Sequence, residues 1–276
     1  MLPNFLSDIQ IETASVPKIL NGATARGVLW QAAAGRFLLD VPGVARYLVE
    51  DGKQISIEPI PQADKTEVDF FLQMTPLASL LFQRGTLAFH AAVAATRHGA
   101  VLLAGDSGAG KSTLLASLHK RGWRMLADDL TVVDLDEDGS PIVFPICPNI
   151  LLWPDAMKKM EITAGSNHDY CYDNGRQSLF IQTGFSSDPE ILRAVYWLSV
   201  HNKNEIEIKE LTGTERFIAW GALLYNSHIA DALLDRAVYF QKASAISDTT
   251  PLRRLIRPRG QWSVDDLADI LVSEWQ

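Results

Sequence analysis

Cysteine is scarce in this chain of 276 residues, which contains only Cys147 and Cys171. Two cysteines are too few for a disulfide framework, and neither belongs to a C-x-x-C pair that would indicate a metal or redox motif. We therefore expect two reduced thiols, the usual state in a cytoplasmic protein.

An excess of positive charge is also missing. The chain has 25 basic and 33 acidic residues, a formal net charge of −8 and a pI of about 5.2. Because nucleic-acid backbones are bound by clustered Lys and Arg, this balance argues against a nucleic-acid partner. It remains compatible with a local basic pocket for a single nucleotide.

Long hydrophobic runs are absent as well. No apolar run approaches the ~20 residues that a membrane-spanning helix requires, and the first residues lack the charge and hydropathy pattern of a signal peptide. We therefore expect a cytoplasmic protein with no membrane partner. With 47% apolar residues, the chain can form one large core, or a main core and a small satellite domain. The sequence does not define the oligomeric state, and a homo-oligomer stays open.

Residues 1–75 have the pattern of a small β-rich module. Runs of β-forming residues cover 36–41, 44–50 and 54–58. The last two are separated by Asp51-Gly52, and an Asp-Gly step between such runs is a hairpin signal.

Residues 76–276 are predicted to form an α/β domain. Helical spacing of apolar residues covers 68–84, where Pro76 either kinks one helix or begins a second. Two short apolar runs then lead to a glycine-rich loop, a helix and a strand that ends at Asp128-Asp129. A strand, glycine loop, helix and strand in this order are typical of a phosphate-binding α/β unit.

The loop matches the phosphate-binding pattern G-x-x-x-x-G-K-[ST] in full. Its glycines permit backbone angles that aim N–H groups at phosphate oxygens, and the start of the following helix adds positive potential. Lys111 is predicted to reach the β- and γ-phosphates of ATP, and Ser112 to ligate Mg²⁺. The predicted nucleotide-binding residues of the loop are Gly105, Asp106, Ser107, Gly108, Ala109, Gly110, Lys111, Ser112 and Thr113.

The acidic pair after the loop helix is the second candidate feature. Phosphoryl transfer to a hydroxyl requires a carboxylate that positions the metal and often a base near the acceptor. Asp128 and Asp129 are predicted to be catalytic and Asp129 to bind the metal with Ser112, although the sequence does not tell which acid is the base. The alternative is a solvated turn.

A histidine and several arginines complete the candidates. His90 lies in an apolar run, so it must find a partner or stay neutral; it is predicted to be catalytic, with a core histidine as the alternative. Arg176 is predicted to point its guanidinium at phosphate, unless it is a surface arginine. Arg257 and Arg259 either neutralise a nucleotide or an acidic substrate, or have a structural role.

Together these residues resemble the catalytic domain of HPr kinase/phosphorylase and its relatives. The match consists of His90, the loop 105–112, Arg121-Gly122 and residues 126–129, in the same order and with similar spacing. It is strongest over residues 87–135. The resemblance implies a P-loop kinase core related to phosphoenolpyruvate carboxykinase, serine kinase activity with ATP and Mg²⁺, and an acid pair that serves as base and as partner of the metal or the histidine.

Three features differ from that family. Thr113 stands where HPr kinases usually carry Glu, the later Arg-Gly-x-Gly loop is absent, and the β-rich amino-terminal part does not resemble the regulatory domain. HPr is therefore not the expected substrate, and phosphorylase activity is not expected.

A closer similarity is to the short HPr-kinase-like proteins of ribosomal peptide clusters, notably those of lasso peptides. It lies in the segments 145–153 and 255–259 and implies phosphorylation of a serine in a precursor peptide. Two other functions fit the residues. A small-molecule kinase would need an enclosed acceptor pocket, whereas a peptide kinase needs an open groove. A nucleotide-binding sensor would bind ATP without transferring its phosphoryl group.

Overall fold

The computed structural model of the protein describes residues 4–163, 170–171 and 175–275. The fold is mixed α/β, with several sheets and helices. The chain divides into two compact units: the first holds Met1–Ala88 and Leu224–Lys242, and the second holds Phe89–Leu223 and Ala243–Gln276. The expected assignment of 1–75 and 76–276 as domains stays a prediction.

The first unit contains a six-stranded sheet in the order β1-β6-β5-β4-β3-β2. All neighbouring strands are antiparallel except β1 and β6. The strands are β1 (Gln10–Thr13), β2 (Ala25–Arg26), β3 (Trp30–Ala33), β4 (Arg36–Val41), β5 (Ala45–Glu50) and β6 (Gln54–Pro59). A 3₁₀ turn (Asn4–Leu6) and the helices α1 (Lys65–Leu72), α2 (Thr75–Gln83) and α6 (Ser227–Leu233) complete the unit.

The hairpin between β5 and β6 turns at Asp51-Gly52, as the sequence predicts. Both residues have positive φ angles, 52° and 63°, and the N–H of Lys53 donates to the carbonyl of Glu50 at 3.0 Å. Two successive positive φ angles give the turn a twist that matches the flanking strands. Side chains of β5 alternate between buried and half-buried positions, because one face of the strand packs on the core.

The predicted helical stretch after this sheet consists of two helices. Pro76 lies in the first turn of α2, where its missing N–H removes no intrahelical bond. Of the two alternatives for Pro76, the structure has the second. Tyr47 is fully buried beneath α1 and its hydroxyl donates to the carbonyl of Val68 at 2.9 Å, which ties the helix to the sheet.

The second unit is built on a larger sheet with the core order β10-β8-β9-β16-β12-β11. Its strands are β8 (Ala91–Thr96), β9 (Gly99–Gly105), β10 (Arg124–Ala127), β11 (Thr131–Leu135), β12 (Pro141–Phe144), β16 (Glu190–His201), β17 (Glu207–Leu211) and β18 (Leu252–Pro258). A small sheet in the order β13-β15-β14 is formed by β13 (Asn149–Leu152), β14 (Tyr170–Cys171) and β15 (Gln177–Phe180). The helices are α3 (Lys111–Lys120), α4 (Pro154–Lys159), α5 (Gly213–Ala222) and α8 (Val264–Glu274), while β7 (Leu87–Phe89) and α7 (Arg236–Thr249) carry the chain between the units.

Strand directions bring the glycine loop and the acid pair to one edge of this sheet. The fully buried β9 pairs with antiparallel β8 on one side and with parallel β16 on the other. Because β10 is antiparallel to β8, it runs in the same direction as β9. The loop after β9 and Asp128-Asp129 after β10 therefore follow strand ends that point the same way.

Helix α3 is held by a core that includes α8. Leu114, Leu115 and Leu118 on α3 are buried in one cluster with Leu267 and Leu271 on α8. Burying each such side chain is worth about 1.5–3 kcal/mol, so the helix that follows the glycine loop has a rigid support.

None of the described helices is long and apolar enough to cross a membrane. Cys147 is a free thiol, and burial raises its pKa to about 11. It is therefore protonated near neutral pH. The side chain of Cys171 lies outside the described part of the chain.

The buried hydroxyl of Tyr47 gives a test of the first unit. Tyr47→Phe keeps the ring and removes the bond to Val68, so we expect the free energy of unfolding to fall by about 1 kcal/mol. Tyr47→Ala also removes the buried ring and should lower it by about 3–5 kcal/mol. Urea denaturation measures both changes. A stability of Tyr47→Phe equal to that of the wild type would show that this bond contributes nothing.

Candidate active site

The loop between β9 and α3 owes its shape to three glycines. Gly105, Gly108 and Gly110 have φ angles of 143°, 80° and 104°, a region that side chains disfavour. At Gly105 a Cβ would also lie 2.7 Å from the carbonyl oxygen of Leu198, whereas at Gly108 and Gly110 it would meet nothing within 4 Å. The loop is thus packed tightly at its start and open at its tip.

Lys111 begins α3 and is buried, with 6% of the residue exposed. Its Nζ donates to the carbonyl oxygens of Gly105, at 2.9 Å, and of Asp106, at 3.3 Å. Burial lowers the pKa of the ammonium, and the carboxylates of Asp129 and Asp128 act in the opposite direction. The ammonium of Lys111 therefore links two carbonyl groups of the loop. It lies beside the first N–H groups of α3, which have no partner within the helix.

The half-buried hydroxyl of Ser112, on the cavity side, contacts the buried carboxylate of Asp128. The Ser112 Oγ donates to Asp128 Oδ1 at 2.9 Å, and the N–H of Leu151 donates to Oδ2 at 2.8 Å. Asp128 is only 2% exposed. Burial, and after it the charge of Asp129, raises the pKa of Asp128 to about 7. Both carboxylate oxygens thus have fixed partners on α3 and β13.

Asp129 has a different environment from its neighbour. Its φ angle is 72°, and the N–H of Leu130 donates to the carbonyl of Asp128 at 2.9 Å. These features are those of a γ-turn with positive φ, which is rare and strained. Asp129 Oδ1 lies 3.5 Å from His90 Nδ1, and Oδ2 lies 3.7 Å from an Arg176 guanidinium nitrogen.

His90 stands immediately before β8 and contacts this second acid. Burial lowers its pKa, and the positive charge of Lys111 lowers it further, against the opposing charge of Asp129. The imidazole is therefore neutral at neutral pH. A neutral imidazole can orient the carboxylate of Asp129 without adding a positive charge to the site.

A cavity of about 270 Å³ collects most of the predicted residues. Those that line it are His90, Ser107, Gly108, Ala109, Gly110, Lys111, Ser112, Thr113, Asp129 and Arg176. Gly105, Asp106 and Asp128 do not line it. Gly105 and Asp128 are buried and Asp106 is exposed; the carbonyls of Gly105 and Asp106 accept from Lys111, and Asp128 accepts from Ser112. The structure therefore gathers the histidine, the glycine loop, one acid and the arginine around one space.

The cavity also contains side chains to which the sequence assigns no role. Trp153, Asp155 and Lys159 line it from the start and end of α4, and Trp262 lines it just before α8. Arg257, for which the sequence leaves two roles open, lines it as well and donates from Nη2 to the carbonyl of Ala109 at 3.3 Å. Asp155, Lys159 and Trp262 belong to no motif of the sequence, while Trp153 and Arg257 lie in the segments 145–153 and 255–259; only the tertiary fold brings the five together.

The oxygen atoms of Ser112 and Asp128 are of the kind that Mg²⁺ prefers. Within the described residues, no cluster of three His, Cys, Asp or Glu side chains could hold a metal. Mg²⁺, however, usually takes one or two protein oxygens together with phosphates and water. The carboxylate that contacts Ser112 is that of Asp128. The role of Asp129 as a metal ligand stays a prediction.

Comparison with known proteins gives a faint structural likeness. No protein-family model matches the chain, and no curated protein matches it in sequence. Among solved structures, the HPr(Ser) kinase/phosphatase from Coxiella burnetii is 13% identical, with a TM-score of 0.37 over 68% of this chain and 94% of its own. Such a likeness carries no conclusion about activity.

The raised pKa of Asp128 predicts a pH-dependent stability. The folded protein retains a proton that the unfolded chain, with an ordinary pKa of 3.8, releases. This contribution is complete below about pH 4 and is lost as the pH rises through about 7. Asp128→Asn removes the ionisation, so its stability relative to the wild type should rise by a few kcal/mol across this range.

Urea denaturation at several values between pH 4.5 and pH 7.5 measures the effect. Asp138→Asn, at an exposed position in the turn between β11 and β12, is the control and should follow the wild type. A constant difference in stability between Asp128→Asn and the wild type would contradict the assigned pKa.

Proposed function

We propose that the chain is an ATP- and Mg²⁺-dependent kinase that phosphorylates a serine hydroxyl in a flexible peptide. The observation that carries the proposal is the convergence of Lys111, the Ser112–Asp128 contact and Asp129 around one cavity at the glycine loop. The resemblance of these residues to HPr kinase favours serine as the acceptor. The similarity to the lasso-cluster proteins favours a ribosomally made precursor peptide as the substrate.

The loop is suited to hold the phosphates of a nucleotide. Its open tip at Gly108 and Gly110 leaves space where phosphate oxygens can approach backbone N–H groups. Lys111 would exchange one of its loop carbonyl partners for a phosphate oxygen, and Ser112, whose hydroxyl is oriented by Asp128, would hold Mg²⁺. When bound, ATP supplies the phosphoryl group and Mg²⁺ neutralises part of the phosphate charge.

Asp129 is the better candidate for the base. It lines the cavity, whereas Asp128 is buried with both oxygens already bonded. The carboxylate of Asp129 accepts the proton of the serine hydroxyl while the serine oxygen bonds to the γ-phosphorus of ATP. The bond from that phosphorus to the β-phosphate oxygen breaks, and ADP leaves. His90 and Arg176 orient this carboxylate from its two oxygens.

The exposed wall of the cavity favours a peptide over a small metabolite. Trp153, which lies beside Gly175 and so near Arg176, lines it and is 48% exposed. An enclosed acceptor pocket would bury such a large ring. A peptide that presents an extended segment could reach Asp129 along this open side, in line with an acceptor that has no fixed fold.

Asp129→Asn tests the assignment of the base. Asn tolerates a positive φ angle, so the turn should persist, while turnover should fall by at least roughly 100-fold. Affinity for ADP with Mg²⁺ should change little, because the loop is intact. Asp155→Asn changes another carboxylate of the cavity wall and should keep near wild-type turnover. Steady-state kinetics and calorimetry provide the two measurements, and a wild-type rate in Asp129→Asn would exclude this residue as the base.

The identity of the acceptor needs a separate experiment. The protein is incubated with ATP and Mg²⁺ and with a panel of unstructured serine-containing peptides, their Ser→Ala counterparts, and purified HPr. We expect mass spectrometry to find one phosphoryl group on serine peptides only, and none in reactions with Lys111→Ala, which lacks the charge of the loop. Efficient modification of HPr with no peptide modified would overturn the proposal. ATP binding without transfer to any acceptor would favour the sensor.

A further inference from the structure

The segment before α8 has a defined position relative to the glycine loop. Ser117 Oγ lies 3.4 Å from Asp265 Oδ1, and Arg121 Nε donates to Asp269 Oδ1 at 2.8 Å. Ser117 and the C-cap residue of α3, Arg121, are four residues apart, as are Asp265 and Asp269 on α8, so α3 and α8 run side by side in the same direction. Thr113 is four residues before Ser117, in the first turn of α3, and Trp262 is three residues before Asp265, just ahead of α8.

Trp262 is therefore held on the cavity wall near the end of the phosphate loop. Both Thr113 and Trp262 line the cavity. Trp262 keeps 40% of its surface exposed although it is a large aromatic residue, and the ammonium of Lys159 lies 4.8 Å from the centre of its ring. The contact with Lys159 limits the movement of the ring and leaves part of its surface open to the cavity.

From these positions we infer that Trp262 is the stacking platform for the base of the nucleotide whose phosphates the loop holds. This inference rests on the proposed function. Any nucleobase has a planar face, and stacking on an aromatic side chain is worth about 5- to 150-fold in affinity. The phosphates engage the loop and the first turn of α3, so the remainder of the nucleotide must extend along the cavity wall.

The other exposed tryptophan has a different neighbourhood. The ring of Trp153 lies beside Gly175, where an added Cβ would be 4.0 Å from it. Gly175 directly precedes Arg176, whose guanidinium faces Asp129. Trp153 thus belongs to the acceptor side of the cavity, and Trp262 to the side where α3 and α8 begin.

Binding of two probes to the same variants tests the inference. Calorimetry with Mg²⁺ measures the affinities for ADP and for inorganic tripolyphosphate, which has no base. We expect Trp262→Ala to weaken ADP by at least about fivefold and to leave tripolyphosphate unchanged. Trp262→Phe retains a ring and should keep most of the ADP affinity.

Trp197→Ala is the matched control, because Trp197 also faces a cation, Arg254 at 5.3 Å, and does not line the cavity. It should bind ADP as the wild type does, and circular dichroism verifies that each variant is folded. Unchanged ADP affinity in Trp262→Ala overturns the stacking role, and so does an equal loss for both probes. If the wild type binds neither probe, the proposed function itself fails, together with this inference.

Discussion

The hydrogen bond from Ser112 to the buried carboxylate of Asp128 is the constraint on which the candidate site depends. Ser112 lies in the first turn of α3 and Asp128 follows β10, so their hydrogen bond ties the loop helix to a neighbouring strand end. The N–H of Leu151 takes the second carboxylate oxygen and adds β13 to the same connection. With both oxygens bonded, the carboxylate has little freedom to move.

The remaining parts of the site are arranged around this contact. Because Asp128 is turned to Ser112, the strained backbone at Asp129 lets the next carboxylate serve another set of partners, His90 and Arg176. Two adjacent acids thus obtain separate environments, one buried and one in the cavity wall. Phosphoryl transfer uses one acid to position the metal and another as the base, and these two roles require different environments.

Local turns and loops could be predicted from the sequence, whereas the different environments of the two acids could not. The glycine spacing of the loop and the Asp51-Gly52 turn follow from φ angles that few other residues adopt. The sequence could not distinguish Asp128 from Asp129, since the difference lies in one backbone angle and in burial. It gave no role to Trp262 and left that of Arg257 open, because only the pairing of β18 with β16 and the packing of α8 on α3 bring them to the loop. The grouping of residues 224–242 with the first unit is equally non-local.

The most direct test of the account is the dependence of ADP affinity on Mg²⁺ in the wild type and in Ser112→Ala. The loop and Lys111 would act on the phosphates in both proteins, while only the wild type retains the serine oxygen beside Asp128. We expect Mg²⁺ to strengthen ADP binding to the wild type by at least roughly tenfold, about 1.4 kcal/mol, and to have much less effect in Ser112→Ala. ADP affinity that is the same in both proteins, with or without Mg²⁺, would contradict a nucleotide site built on this contact.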